Sequence, residues 1–184
     1  IFESIMTIHG KRFSRTLTSR TYSVGAEKSF TEYLSPARER GTKMLKLKNQ
    51  LWIYAPSSDR TIEISGHMLR QSVMGSDLSY EDMMEDRKLT DIYTATLVGK
   101  EKVNQRNCFV VDLIAKVENT AYYRRKIWID SEYFVPIKED LFAKSGQLLK
   151  RTLFSQVKYV NNRWFPMHIN FKDMLKNGKG TDFH

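Results

Sequence analysis

Short segments that alternate apolar and polar residues recur along most of this chain, and they favour a fold built from β-strands. The first two segments, 2–9 and 12–22, are joined through Gly10 and Lys11, a connection typical of a β-hairpin. The other segments are 28–35, 43–54, 60–65, 89–98, 107–117, 121–130, 133–143, 147–160 and 163–172. Turn residues separate them at hairpin length, so the pattern predicts about ten or eleven consecutive strands in an antiparallel meander.

The segment 43–54 has the clearest one-sided pattern. When it is read as a single strand, one face carries Leu45, Leu47, Leu51 and Ile53, with Asn49 as the only exception. Lys46, Lys48 and Gln50 then fall on the other face, which we expect to be in contact with solvent. The segment therefore predicts one wall of an apolar interior.

The segment 107–117 is apolar on both faces. One face carries Phe109, Val111 and Leu113, whereas Val110 and Ile114 lie on the other. Runs of this kind are typical of strands that are covered on both sides, so we expect something other than solvent to pack on each face. The candidates for this cover are the stretch 67–87 and a helix preceding residue 1.

The stretch His67–Met84, called the methionine segment below, is the part that does not alternate as a strand does. It holds four of the eight methionines in the chain, namely Met68, Met74, Met83 and Met84. Ser79 and Asp82 have the spacing of a helix capping box, and Tyr80, Met83, Met84 and Arg87 then form a short stripe at helical spacing. Methionine is flexible and polarisable, so such a helix suits a wall that adapts to apolar ligands. The simpler alternative is that these methionines fill an ordinary core.

Length and composition exclude several classes of protein. The 184 residues suit a single domain spanning 1–184, and no apolar run approaches the roughly 20 residues of a membrane helix. The net charge is +9, but the basic residues are spread along the predicted strands and no nucleic-acid-binding motif is present. We therefore expect a protein that is not integral to a membrane and does not bind nucleic acid.

Catalytic and metal-binding patterns are also missing from the sequence. The histidines are His9, His67, His168 and His184, far apart and without the spacing of a metal site. The acidic residues between 77 and 86 lack the pattern of a calcium loop, and the single cysteine, Cys108, lies in an apolar strand as a buried inert thiol would. The sequence predicts no enzyme, no metal and no cofactor.

Four stretches together resemble a known family. They are LWIYAPSSDR at 51–60, QSVMGSDLSYEDMM at 71–84, YYRRKIWID at 122–130 and VPIKEDLF at 135–142. In order and spacing they are similar to the periplasmic outer-membrane lipoprotein-sorting proteins, the LolA-like family. The resemblance implies a mainly β fold with short helices, an incomplete antiparallel β-barrel (half-barrel) around a hydrophobic cavity lidded by helices.

The same resemblance implies a function. Proteins of this kind carry lipid or lipoprotein acyl chains through the periplasm towards the outer membrane, so we expect a soluble periplasmic carrier whose export signal has been removed. An inner-membrane transporter and an outer-membrane acceptor would be its partners. The predicted cavity lining is Leu45, Leu47, Leu51, Ile53, Met68, Met74, Met83 and Met84, with Phe109, Val111 and Leu113 as the opposite wall. The alternative is a sensor or interaction module of the same fold that binds a protein or lipoprotein partner.

Overall fold

The computed structural model describes all 184 residues and is built mainly from β-strands. It contains thirteen strands, two short α-helices and two 3₁₀ turns. The chain divides into two compact units, one formed by 1–86 with 178–184 and the other by 87–177.

The first unit is a run of seven antiparallel strands in the order β6-β5-β4-β3-β2-β1-β13. Their bounds are β1 Phe2–His9, β2 Ser14–Val24, β3 Lys28–Ser35, β4 Lys43–Leu47, β5 Gln50–Ala55, β6 Arg60–Glu63 and β13 Gly180–Phe183. Consecutive strands are neighbours from β1 to β6, which confirms the meander for this part of the chain. Strand β13 was not predicted, and it pairs with β1.

The prediction of one strand over 43–54 is wrong, because the chain turns at Lys48 and Asn49. Lys48 has a φ of 53°, and Leu47 is paired with Gln50 across the turn. Side chains alternate within each strand, so this register places Leu51 on the same face as its partner Lys46. Leu45 and Leu47 therefore lie on the face opposite to Leu51 and Ile53, and the four leucine and isoleucine residues do not share one face.

The second unit is a run of six antiparallel strands in the order β12-β11-β10-β9-β8-β7. Their bounds are β7 Tyr93–Val103, β8 Arg106–Ala115, β9 Arg124–Asp130, β10 Pro136–Phe142, β11 Leu148–Val160 and β12 Arg163–Asp173. Most of these bounds lie close to the predicted segments. The exception is the segment 89–98, because helix α2 occupies Leu89–Ile92 and the strand that follows continues to Val103.

The fold is thus mostly β, antiparallel and open in both units, with few short helices. The thirteen strands exceed the predicted ten or eleven, because the turn at 48–49 divides one predicted strand and β13 adds another. None of the helical segments has the length and apolar character that crossing a bilayer would require.

The methionine segment folds into two 3₁₀ turns, Gly66–Arg70 and Val73–Gly75, followed by helix α1 at Tyr80–Met84. The predicted capping box is confirmed at the start of this helix. The backbone N–H of Ser79 donates to Asp82 Oδ2 at 2.8 Å, and the N–H of Asp82 donates to Ser79 Oγ at 3.2 Å. These two bonds satisfy amide groups that a helix start otherwise leaves unpaired. The helix ends at Met84, so Arg87 lies beyond it and the predicted place of Arg87 in the apolar stripe is wrong.

Candidate functional site

The methionine segment lies on one face of the strands β4 and β5 and builds an apolar layer there. The fully buried members of this layer are Met44, Leu51, Ile64, Val73 and Tyr80. Around them pack six partly buried residues: Ile53, Met68, Leu69, Met74, Met83 and Met84. All four methionines predicted for the ligand cavity therefore lie in one cluster with Leu51 and Ile53.

The four methionines surround the centre of this cluster without being enclosed in it. Within the segment only Val73 and Tyr80 are buried apolar residues, at 2% and 7% exposure. Burial accordingly raises the pKa of the Tyr80 hydroxyl. The methionines therefore lie at the edge of the layer, with Val73 and Tyr80 at its centre, an arrangement that suits contact with ligands of variable shape.

A buried lysine holds the end of helix α1. Lys46, which was predicted to face solvent, is only 7% exposed and shares the face of Met44 and Leu51. Its Nζ donates to the carbonyl of Met83 at 3.2 Å and lies 3.4 Å from Asp86 Oδ2. The last carbonyls of a helix carry partial negative charge, so a lysine is favoured at this place. The prediction for Lys46 is wrong because the helix end supplies partners that the strand pattern does not show.

A second connection fixes the middle of the segment to strand β13. The N–H of Asp77 donates to Thr181 Oγ1 at 3.0 Å, and the Thr181 hydroxyl donates to Asp77 Oδ2 at 2.9 Å. Thr181 is fully buried and Asp77 is 8% exposed. Asp77, one of the acidic residues between 77 and 86, therefore has a buried structural role. No local pattern links positions 77 and 181, so sequence reasoning did not find this pair.

The turn at Met74 and Gly75 has an unusual backbone conformation and is bonded to strand β2. Met74 has a φ of 51° and Gly75 has a φ of 78°, both in the left-handed region. Residues other than glycine are uncommon there, and the carbonyl of Met74 accepts a hydrogen bond from the Arg15 guanidinium. The methionine segment is thus attached to the sheet at three places: through Arg15, through Thr181 and through Lys46.

The structure separates the other predicted lining residues from this cluster. Leu45 and Leu47, on the opposite face of β4, line an open groove of about 610 Å³. Val111 and Leu113 belong to the second unit, where they pack in a cluster around Ile92, Tyr93 and Ile127. Phe109 lies on the same strand, with its ring 6.5 Å from that of Phe134. That these three residues of β8 form the opposite wall of an acyl-chain cavity stays a prediction.

The face of β8 that carries Cys108 and Val110 is covered as well. Both are 1% exposed and pack with Trp128, Val135 and Ile137. The expectation that this strand is covered on both sides is confirmed around Val110, whereas Ile114 on the same face is 36% exposed. Burial also raises the pKa of the Cys108 thiol.

The side chain of His9 is hydrogen-bonded to residues on two neighbouring strands. Its Nδ1 lies 3.1 Å from Ser14 Oγ, and its Nε2 lies 2.6 Å from Asp182 Oδ2. Ser14 is the register partner of His9 on β2, and Asp182 lies on β13. The side chains of Ser14, His9 and Asp182 therefore link β2, β1 and β13. Both ring nitrogens of His9 have a partner within the sheet.

Comparison with known proteins adds a family and a set of similar folds. A family model with the description "uncharacterized protein" matches residues 25–184, most of the chain. The chain belongs to this family. No protein of curated function matches the sequence.

Three solved structures are similar over nearly the whole chain. One is a domain from Vibrio parahaemolyticus named for outer membrane lipoprotein sorting, 24% identical, with a TM-score of 0.80 over 99% of this chain and 82% of that one. The second is a DUF1329 family protein from Desulfovibrio piger, 25% identical, with a TM-score of 0.84 over 98% and 80%. The third is a LolA superfamily protein from Nitrosomonas europaea, 23% identical, with a TM-score of 0.77 over 98% and 80%. The chain therefore has the LolA-like fold, which confirms the resemblance drawn from its sequence.

Proposed function

We propose that this protein is a carrier that binds lipid or lipoprotein acyl chains beneath the methionine segment. In this proposal the open sheet forms a half-barrel, the segment is the lid of its cavity, and the protein works in the periplasm. The observation that carries the proposal is the packing of the segment's four partly buried methionines around one buried apolar cluster on the sheet. The LolA-like fold supports it, since the structure from Vibrio parahaemolyticus is named for lipoprotein sorting.

The energetics of such a site are set by the acyl chain. Transfer of one methylene from water to an apolar environment contributes roughly 0.8 kcal/mol, so a chain of about fifteen carbons gains on the order of 10 kcal/mol. A carrier must also release its cargo, which requires a cover that can move. Flexible methionines beside Gly75 meet this requirement better than an enclosed core of branched side chains would.

Native mass spectrometry tests the proposal directly. Protein is purified from a host that contains membranes, its mass is measured under native conditions, and bound molecules are extracted and identified. We expect a population that carries lipid or a lipidated molecule. Protein without any such mass that also fails to take up a fluorescent fatty acid would contradict the carrier function and favour an interaction module.

A double variant locates the binding. Met83→Asp with Met84→Asp places two carboxylates under the lid and should abolish uptake of the fluorescent fatty acid, because carboxylates are costly in an apolar site. The matched control is Leu97→Asp with Val98→Asp, which adds the same charge at positions that are 62% and 54% exposed. The control should bind as the parent protein does. Equal loss of folding in the methionine variant and in Leu51→Asp would instead identify the methionines as plain core.

A further inference from the structure

The groove that contains Leu45 and Leu47 is a second candidate binding surface. It lies on the face of the first unit's strands opposite to the methionine segment and has a volume of about 610 Å³. Its lining residues are Phe30, Lys43, Leu45, Leu47, Trp52, Tyr54 and Thr61. This size falls within the range of small-molecule sites, which are mostly apolar with few polar groups.

The strand register builds an apolar row through the middle of the groove. Tyr22 is paired with Phe30, Phe30 with Leu45, and Leu45 with Trp52. Neighbouring strands are about 4.8 Å apart, so the four side chains extend for roughly 14 Å across the strands. The Tyr22 and Phe30 rings are 6.3 Å apart, and Leu47 extends the apolar surface on one side of the row. An extended hydrocarbon chain fits a row of this kind.

The other side of the row is polar and contains a cation. A second row lies two positions away from Phe30, Leu45 and Trp52 on the same strands. In it, Glu32 on β3 is paired with Lys43 on β4, and Lys43 is paired with Tyr54 on β5. Lys43 Nζ lies over the Tyr54 ring, 5.7 Å from its centre, and the Tyr54 hydroxyl donates to Asp59 Oδ1 at 2.9 Å. The Lys43 ammonium thus lies on the groove side of its strand, against the face of an aromatic ring. Glu32 and Asp59 are acidic groups at this end, and Glu63 is paired with Trp52 at the end of the apolar row.

We propose that the groove binds a single-chain anionic amphiphile, a long-chain carboxylate, with its tail along the apolar row and its carboxylate against Lys43. The ammonium supplies a charge-assisted hydrogen bond, and Leu45, Phe30 and Trp52 supply the apolar contact. Glu32 opposes binding because its charge has the sign of the ligand. This site is independent of the one proposed beneath the methionine segment.

Titration with decanoate and 1-decanol, both as monomers in solution, tests the proposal. The readout is the indole N–H resonance of Trp52, identified by its loss in Trp52→Phe. We expect decanoate to shift this resonance with higher affinity than decanol. Lys43→Gln should weaken decanoate about five-fold and leave decanol unchanged, as for a partly exposed ion pair. Glu32→Gln should strengthen decanoate and leave decanol unchanged.

Leu47→Asp provides the apolar test, since Leu47 is already 40% exposed and the variant should fold. It should abolish binding of both ligands at Trp52 while uptake under the methionine segment continues. Equal affinities for decanoate and decanol, or an unchanged response in Leu47→Asp, would overturn the proposal. A Trp52 resonance that shifts only with phosphatidylglycerol vesicles would also overturn it, in favour of membrane contact. Loss of every bound ligand in the Met83 and Met84 variant alone would refute the groove site while supporting the proposed carrier.

Discussion

Truncating two leucines of the same hairpin should have very different effects on stability. Leu51 is 1% exposed at the centre of the methionine layer, whereas Leu47 is 40% exposed on the opposite face. Leu51→Ala removes a fully buried side chain and leaves a cavity, so it should lower the free energy of unfolding by about 2–5 kcal/mol. Leu47→Ala removes a side chain from an open groove, where no enclosed cavity forms. Complete burial of a leucine contributes about 1.5–3 kcal/mol, so this change should cost about 1 kcal/mol or less.

Urea denaturation followed by tryptophan fluorescence measures both effects. Each variant should shift the midpoint of unfolding without changing its slope, which would show that only stability has changed. The assay includes a direct reporter, because Trp52 lies on β5 beside both leucines. Equal losses in the two variants would refute the assigned hairpin register and restore the prediction of one strand with both leucines on one face.

Three further changes test separate parts of the structure. Ser79→Ala removes the helix cap and should lower the free energy of unfolding by about 1 kcal/mol. Hydrogen-exchange mass spectrometry should show faster amide exchange at Asp82, and unchanged exchange would contradict a role for the cap. Lys46→Met keeps the buried stem of the side chain but removes its hydrogen bond to the helix end. Amide exchange in 80–86 should become faster, while the free energy of unfolding changes by only about 1 kcal/mol. Unchanged exchange would show that the lysine does not hold the helix. Burial opposes ionisation of Asp130, but hydrogen bonds from Arg106 and two backbone amides outweigh it and lower the pKa of this carboxyl. Its contribution to stability should therefore be complete above about pH 4 and disappear as the pH falls through the lowered value, and Asp130→Asn should remove that part of the acid dependence in thermal unfolding.

The features that the sequence predicted are those determined by nearby residues. Strands β1 and β3 begin and end at the predicted residues because alternation and turn residues define both of their ends. The cap formed by Ser79 and Asp82 was also predictable, since both partners lie within one helical turn.

The turn at Lys48 and Asn49 contains neither glycine nor proline, and its one signal was Asn49, a common turn residue that interrupts the apolar face. Lys48 adopts a φ of 53°, which few lysines do, and the alternation of lysine with apolar residues continues up to it. A single strand was therefore the natural interpretation, and it assigned Leu45 and Leu47 to the wrong face. One unrecognised turn changes the face of every residue on one side of it.

The candidate site depended on contacts between distant positions, which one sequence does not reveal. The methionine segment was identified correctly as a helical interruption, but its attachments to Arg15, Lys46 and Thr181 connect residues far apart in the chain. The burial of Lys46 is the clearest example. A lysine on an alternating strand is normally solvated, and only the helix end placed over it makes burial favourable.

Photo-cross-linking with a fatty acid that carries a diazirine near the end of its tail tests the central claim most directly. Tandem mass spectrometry of the digested protein then gives the labelled residues. We predict labels within the methionine segment, at Met68, Met74, Met83 or Met84, and a loss of these labels when unlabelled fatty acid competes. Absence of label from residues 67–84, with the protein folded and the probe in excess, would contradict an acyl-chain site beneath this segment.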